Sequence, residues 1–119
     1  MAEAGRRGVI VERVSGAAIE PFLPALAELR IAVFREFPYL YVGSLDYERE
    51  YLQHYADSPQ SVVVLAREGD RVVGASTAMP LALHADDAMP ALVRAGYDPD
   101  QVFYFGESVL DREFRGRGL

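Results

Sequence analysis

The sequence has no cysteine and only two histidines, His54 and His84. Without thiols there are no disulfides, no thiolate nucleophile and no cysteine-ligated zinc. Two imidazoles are too few to expect a catalytic metal site. No apolar run approaches the ~20 residues needed to cross a bilayer. The opening "MAEAGRRGVIVERV" lacks the long apolar stretch of a signal peptide. The expectation is a soluble, cytoplasmic protein with no membrane partner. Positive charge is also scarce. The net charge is -6, which argues against nucleic acid as a partner.

Half of the 119 residues are apolar or aromatic, a globular composition able to form one core. A single domain over 1–119 is expected, with no repeat, low-complexity tract or linker. The scarce positive charge is concentrated, because Arg112, Arg115 and Arg117 crowd the last eight positions. On an acidic body this points to a specific anionic ligand, and a solvated arginine tail is the plainer alternative.

The order of elements follows from apolar patterning. "GVIVERV" (8–14) is short and β-branched, a strand. From Ile19 to Phe37 apolar residues recur at three- and four-residue steps, a helix. Its Pro21 and Pro24 fall in the first turn, and Pro38 supplies the stop. "YLYVGS" (39–44) is an aromatic loop. Asp46 is the expected N-cap of a second helix, with Glu48, Arg49, Glu50 and Gln53 on its wet side. "SVVVLARE" (61–68) suits a strand buried on both faces. Gly69 and Asp70 form a tight turn into a second strand, Arg71–Leu83, with Pro80 at its end or at a bulge. A short helix follows, capped by Asp86 or Asp87 and stopped at Gly96. Gln101–Asp111 is the last strand, in which Gly106 signals a bulge or a close backbone approach.

The chain ends in "DREFRGRGL". After a strand, a loop of this kind can turn several backbone amides toward one anion. Gly116 and Gly118 allow close approach, and the arginines add forked donors. In this order of elements, the closing residues resemble the GNAT acetyltransferase superfamily. The family signature is Arg or Gln, two residues, Gly, one residue, then Gly or Ala. Arg115 takes its first place and Gly118 its second, and the motif stops one residue short.

The resemblance implies an α/β domain of α+β type. Its mostly antiparallel sheet would have about four strands, with two main helices and one short one, and the C-terminal half of the family fold would be missing. It implies acetyl-CoA as donor, with acetyl passing to an amine by direct attack. Arg115, Gly116, Arg117 and Gly118 would hold the pyrophosphate. Val109, Leu110 and Asp111 would offer backbone groups to the pantetheine arm and the acetyl carbonyl.

An amine nucleophile must lose a proton. Glu107, a carboxylate in an apolar strand, is the candidate base, and the competing reading is a solvent-facing or arginine-paired side chain. Tyr39, Tyr41 and His84 are candidates for an acceptor pocket, where the acceptor is a small-molecule or peptide amine. Tyr104 reads better as packing, and His54 as surface. A chain cut within the motif would be weakly active or inactive. It would leave strand 101–111 as a long apolar edge, open to pairing in a homodimer. The alternative to an enzyme is therefore an interaction module that recruits a partner through this strand.

Overall fold

The computed structural model describes residues 8–36, 38–80 and 88–119. Its regular elements are β1 (Val9–Val14), α1 (Leu23–Phe34), α2 (Leu45–Asp57), β2 (Val62–Glu68), β3 (Arg71–Pro80), α3 (Ala88–Arg94) and β4 (Phe103–Leu110). The strands form one sheet in the order β1-β2-β3-β4, and every neighbouring pair is antiparallel. The fold is α+β, in keeping with the class read from the sequence. Among the described residues no helix is long and apolar enough to cross a membrane.

The N-terminal helix divides where its prolines fall. Gly16–Phe22 is a 3-10 segment containing Pro21. Leu23 then opens α1, with Pro24 in its first turn, where amides have no intrahelical acceptor. One continuous helix from Ile19 was expected; Pro24 instead sits in the first turn of α1, where a missing N–H is harmless, while Pro21 lies inside the 3-10 segment. The cap of α2 also differs from expectation. Ser44, not Asp46, is the N-cap, and its hydroxyl accepts the Tyr47 N–H at 3.2 Å. Asp46 lies inside the first turn, where its charge favours the helix dipole.

Both helices pack on one face of the sheet. Leu23, Leu26 and Ala27 of α1 and Leu52 and Tyr55 of α2 meet Val63, Leu65, Ala75, Met79 and Val109. The opposite face carries a smaller cluster of Val9, Ala66, Val73 and Phe114, with Leu110 packed against it. Beside that cluster a shallow depression of about 280 Å³ is lined by small and apolar residues, among them Gly74, Ser76, Ser108 and Leu119. β2 is thus not buried on both faces, since Val64 is 36% exposed. The β2–β3 hairpin turns as expected, and Gly69 takes the positive φ (60°) that a two-residue hairpin requires at its first position.

β4 lies at an edge of the sheet. Its register shifts between Thr77↔Glu107 and Ala78↔Phe105, so Gly106 is an extra residue. An inserted residue reverses the side on which every later side chain emerges. The consequence is visible in burial. Glu107 stays with the helices, while Phe103 and Phe105 emerge on the far side at 44% and 75% exposure. Without the bulge, Glu107 and both phenylalanines would share a face. The strand is shorter than the expected 101–111, because Pro99–Gln101 forms a 3-10 turn before it and Asp111 opens another after it.

Candidate functional site

The helices bring together two opposite charges at the top of their apolar stripes. On α1, Arg30 follows Leu23, Leu26 and Ala27 at helical spacing. On α2, Glu48 precedes Leu52 and Tyr55 in the same way. Where the stripes meet, Arg30 Nε donates to Glu48 Oε2 at 3.0 Å. Arg30 Nη1 is paired with Glu107 Oε1, which reaches in from β4. The expected alternatives for Glu107 were solvent or an arginine across the sheet. Its arginine comes instead from a helix.

Neighbours hold this triad tightly. Thr77 Oγ1 donates to Glu107 Oε2 at 3.1 Å and lies 3.3 Å from the Glu107 N–H, which it accepts. The Arg30 guanidinium sits 4.6 Å from the Tyr51 ring centre and 5.2 Å from that of Phe34. Such stacking over ring faces favours a cation. Glu48 is fully buried, although it was expected on the wet side of its helix. Its Oε1 makes no hydrogen bond of good geometry, yet its charge is felt at the Tyr41 hydroxyl, which burial and then Glu48 raise above the ordinary value of 10. One guanidinium serves two carboxylates, so the three groups sum to one negative charge.

Burial, and then neighbouring Tyr55, raise the Tyr51 phenol well above 10. A raised folded-state value means that the unfolded chain loses this proton first as the pH climbs. The stabilisation is complete below about pH 10 and is lost above it. Absorbance titration at high pH should show part of the seven tyrosines ionising late. Tyr51→Phe should remove one late transition and flatten the fall in stability above pH 10. An unchanged profile in that variant would refute the assignment.

A groove of about 300 Å³ opens beside the triad, lined by Arg30, Phe34, Tyr39, Tyr41 and Tyr47. It contains Tyr39 and Tyr41, both chosen from the sequence, and adds Arg30, Phe34 and Tyr47. Tyr104 is half-buried on the same side of β4 and contributes to the raised Tyr51 phenol. His84 lies outside the described residues. His54 is exposed on α2. No group of three or more acidic or imidazole side chains is placed to hold a metal ion among the described residues.

The closing segment leaves β4 through Asp111, whose N–H donates to Val73 O at 2.7 Å. Its carboxylate then caps the next turn, accepting the Glu113 N–H at 3.0 Å, and also accepts from Arg71 Nη2 at 3.0 Å. Phe114 folds back into the smaller core cluster. Beyond it, Gly116 and Gly118 take positive φ, 78° and 76°, with open space where a Cβ would stand. Arg115 Nε donates to Leu110 O at 3.0 Å, and its Nη1 reaches Glu36 Oε1 at 3.2 Å. Arg117 Nη2 donates to Glu113 O at 2.9 Å, and its guanidinium lies 4.5 Å from the Phe114 ring centre. Val109 is buried, whereas the Leu110 carbonyl is already occupied by Arg115.

The sequence contained a signal for the residues it did not yield. Arg30 and Glu48 interrupt apolar stripes on consecutive helices with opposite charges, and a charge in such a position must find a partner. No protein-family model, curated protein or solved structure matches this chain.

Proposed function

We propose that this chain is an N-acetyltransferase domain that takes acetyl-CoA along β4 and its glycine loop. The observation that carries this reading is the placement of three features on one edge strand. The bulge at Gly106 turns Glu107 into the triad, the strand lies at the edge of the sheet, and the strand runs straight into the loop of Gly116 and Gly118. The loop suits a diphosphate. Two glycines at positive φ leave open space where side chains would stand, and two arginines flank the loop.

Acetyl-CoA supplies the activated acetyl group. Arg115, Gly116, Arg117 and Gly118 would hold its pyrophosphate, and the pantetheine arm would run beside Val109, Leu110 and Asp111, where Arg115 would have to release the Leu110 carbonyl and the Asp111 amide stays with Val73 O. As the amine nitrogen bonds to the acetyl carbon, the thioester C–S bond would break and coenzyme A would leave as its thiolate, while Glu107 would take the proton shed by the amine. Arg30 divides its charge between Glu107 and Glu48, so Glu107 keeps part of its negative charge for that task. Tyr39 and Tyr41 give the amine a ring-lined approach.

Calorimetric titration with acetyl-CoA tests this. Arg115→Ala should weaken binding about tenfold to a hundredfold, the worth of one charge-assisted contact. Gly118→Ala should weaken it too, since a Cβ is strained at that φ. Failure of acetyl-CoA to bind, or binding indifferent to both substitutions, rejects the reading.

A second reading is favoured by the exposure of Phe105 and Phe103, whose rings lie edge to face 6.0 Å apart on an edge strand. Here β4 recruits another chain by strand addition. A tight dimer that shields β4 amides from hydrogen exchange, with no response to acetyl-CoA, would select it.

A further inference from the structure

The ring-lined groove has a chemical character that the donor site does not explain. We propose that it receives an organic ammonium carried on an apolar body, of the phenylalkylammonium class. As the acceptor of acetyl transfer this ligand rests on the reading above, whereas as a ligand of the groove it does not.

Four rings, Phe34, Tyr39, Tyr41 and Tyr47, line a groove whose one charged lining residue is Arg30. Glu48 and Glu107 both claim that guanidinium. The fixed charge beside the groove is therefore negative by one, and it sits in surroundings where screening by water is weak. Ring faces add to this, since their quadrupoles attract cations. A carboxylate ligand would be repelled, and a neutral one would gain nothing from the charge.

Apolar side chains alternate along the chain with two of the lining tyrosines. Leu40 and Val42 are exposed at 64% and 87% on the loop that carries Tyr39 and Tyr41. That loop is held in shape by three backbone bonds. Glu36 O accepts from the Tyr39 and Leu40 amides at 3.0 and 3.1 Å, and Phe34 O accepts from the Tyr41 amide at 2.7 Å. Leu40 is kept at φ 51°, a left-handed conformation that costs a branched side chain energy and is retained where the surroundings impose it. A pre-shaped loop loses little entropy on binding. The volume, about 300 Å³, stands at the small end of ordinary ligand sites and suits one ring with a short amine arm.

The test uses the full chain and three probes of like shape: 2-phenylethylammonium, 2-phenylethanol and 3-phenylpropionate. Binding is read by nuclear magnetic resonance shifts and by calorimetry. The ammonium should bind about threefold to thirtyfold more tightly than the alcohol, with the carboxylate weakest. Tyr39→Leu and Tyr47→Leu alter exposed side chains, so the fold should survive, and each should weaken the ammonium selectively. Glu107→Gln should draw the ammonium-to-alcohol ratio toward one. Equal binding of the alcohol, tighter binding of the carboxylate, or indifference to both tyrosine variants overturns the proposal. Acetyl-CoA is titrated separately. Ammonium binding without acetyl-CoA binding supports the groove assignment and rejects the donor reading. Acetyl-CoA binding without ammonium binding rejects the groove assignment alone.

Discussion

Replacing Arg30 with methionine is expected to cost about 3–5 kcal/mol of folding stability, the usual penalty for removing one partner of a buried ion pair. The reason is Glu48, which has no exposed surface and takes its 3.0 Å ion pair from Arg30. Methionine fills much of the same volume, so the loss reports the stranded charge and not a cavity. Urea denaturation at neutral pH measures it. For a domain of this size the thermal midpoint should fall by roughly 10–20 °C. One control isolates the cause. Adding Glu48→Met to Arg30→Met should recover much of the loss, because an apolar pair in place of a buried ion pair is often neutral or better. A single variant that unfolds at the same urea concentration as the parent would mean that Glu48 finds water, and the triad would lose its structural role.

Gly106→Ala is the second large effect. A methyl group built on Gly106 would stand 2.5 Å from the Tyr55 hydroxyl oxygen and 2.6 Å from Thr77 Oγ1. Both atoms belong to buried residues that have little room to retreat. Overpacking of this kind costs about 1–3 kcal/mol. Thr77 also orients Glu107, so the same substitution should weaken ammonium binding in whatever fraction remains folded. Tyr55→Phe removes the nearest clashing atom and should restore part of the stability in the double variant. Full stability of Gly106→Ala alone would show that the strand can pull away from the helices, and that the bulge is not pinned from below.

Much of the fold was legible because it is local. β-branched and apolar runs and turn residues mark all four strands, and Gly106 signals a bulge or a close backbone approach in the last of them. What escaped was what distant segments do to one another. Apolar spacing makes Pro21 and Pro24 two tolerated residues of one helix, yet the chain passes from a 3-10 segment to an α-helix between them. Residue type points to Asp46 as the cap of α2, whereas Ser44 takes that place, because only the backbone angles at the helix start decide which of two capping residues stands at the boundary. Residue type alone assigns Glu48 to water. Its spacing to Leu52 and Tyr55 said otherwise, but the side of α2 that is buried depends on where α1 lies, 18 residues earlier for Arg30. Of the candidate site, Glu107, Tyr39 and Tyr41 were within reach because strand and loop patterns expose such residues. Arg30 and Tyr47 were not, because their role exists only once two helices and an edge strand converge.

The ion pair between Arg115 and Glu36 links two parts of the molecule that are 79 positions apart in the chain. Glu36 is also the residue whose carbonyl anchors the Tyr39 and Leu40 amides. An anion in the glycine loop that competed for Arg115 would release the Glu36 side chain at the start of the aromatic loop. Thermodynamic reciprocity then applies: whatever such an anion does to the affinity of the groove for its ligand, that ligand must do, by the same factor, to the affinity of the glycine loop for the anion.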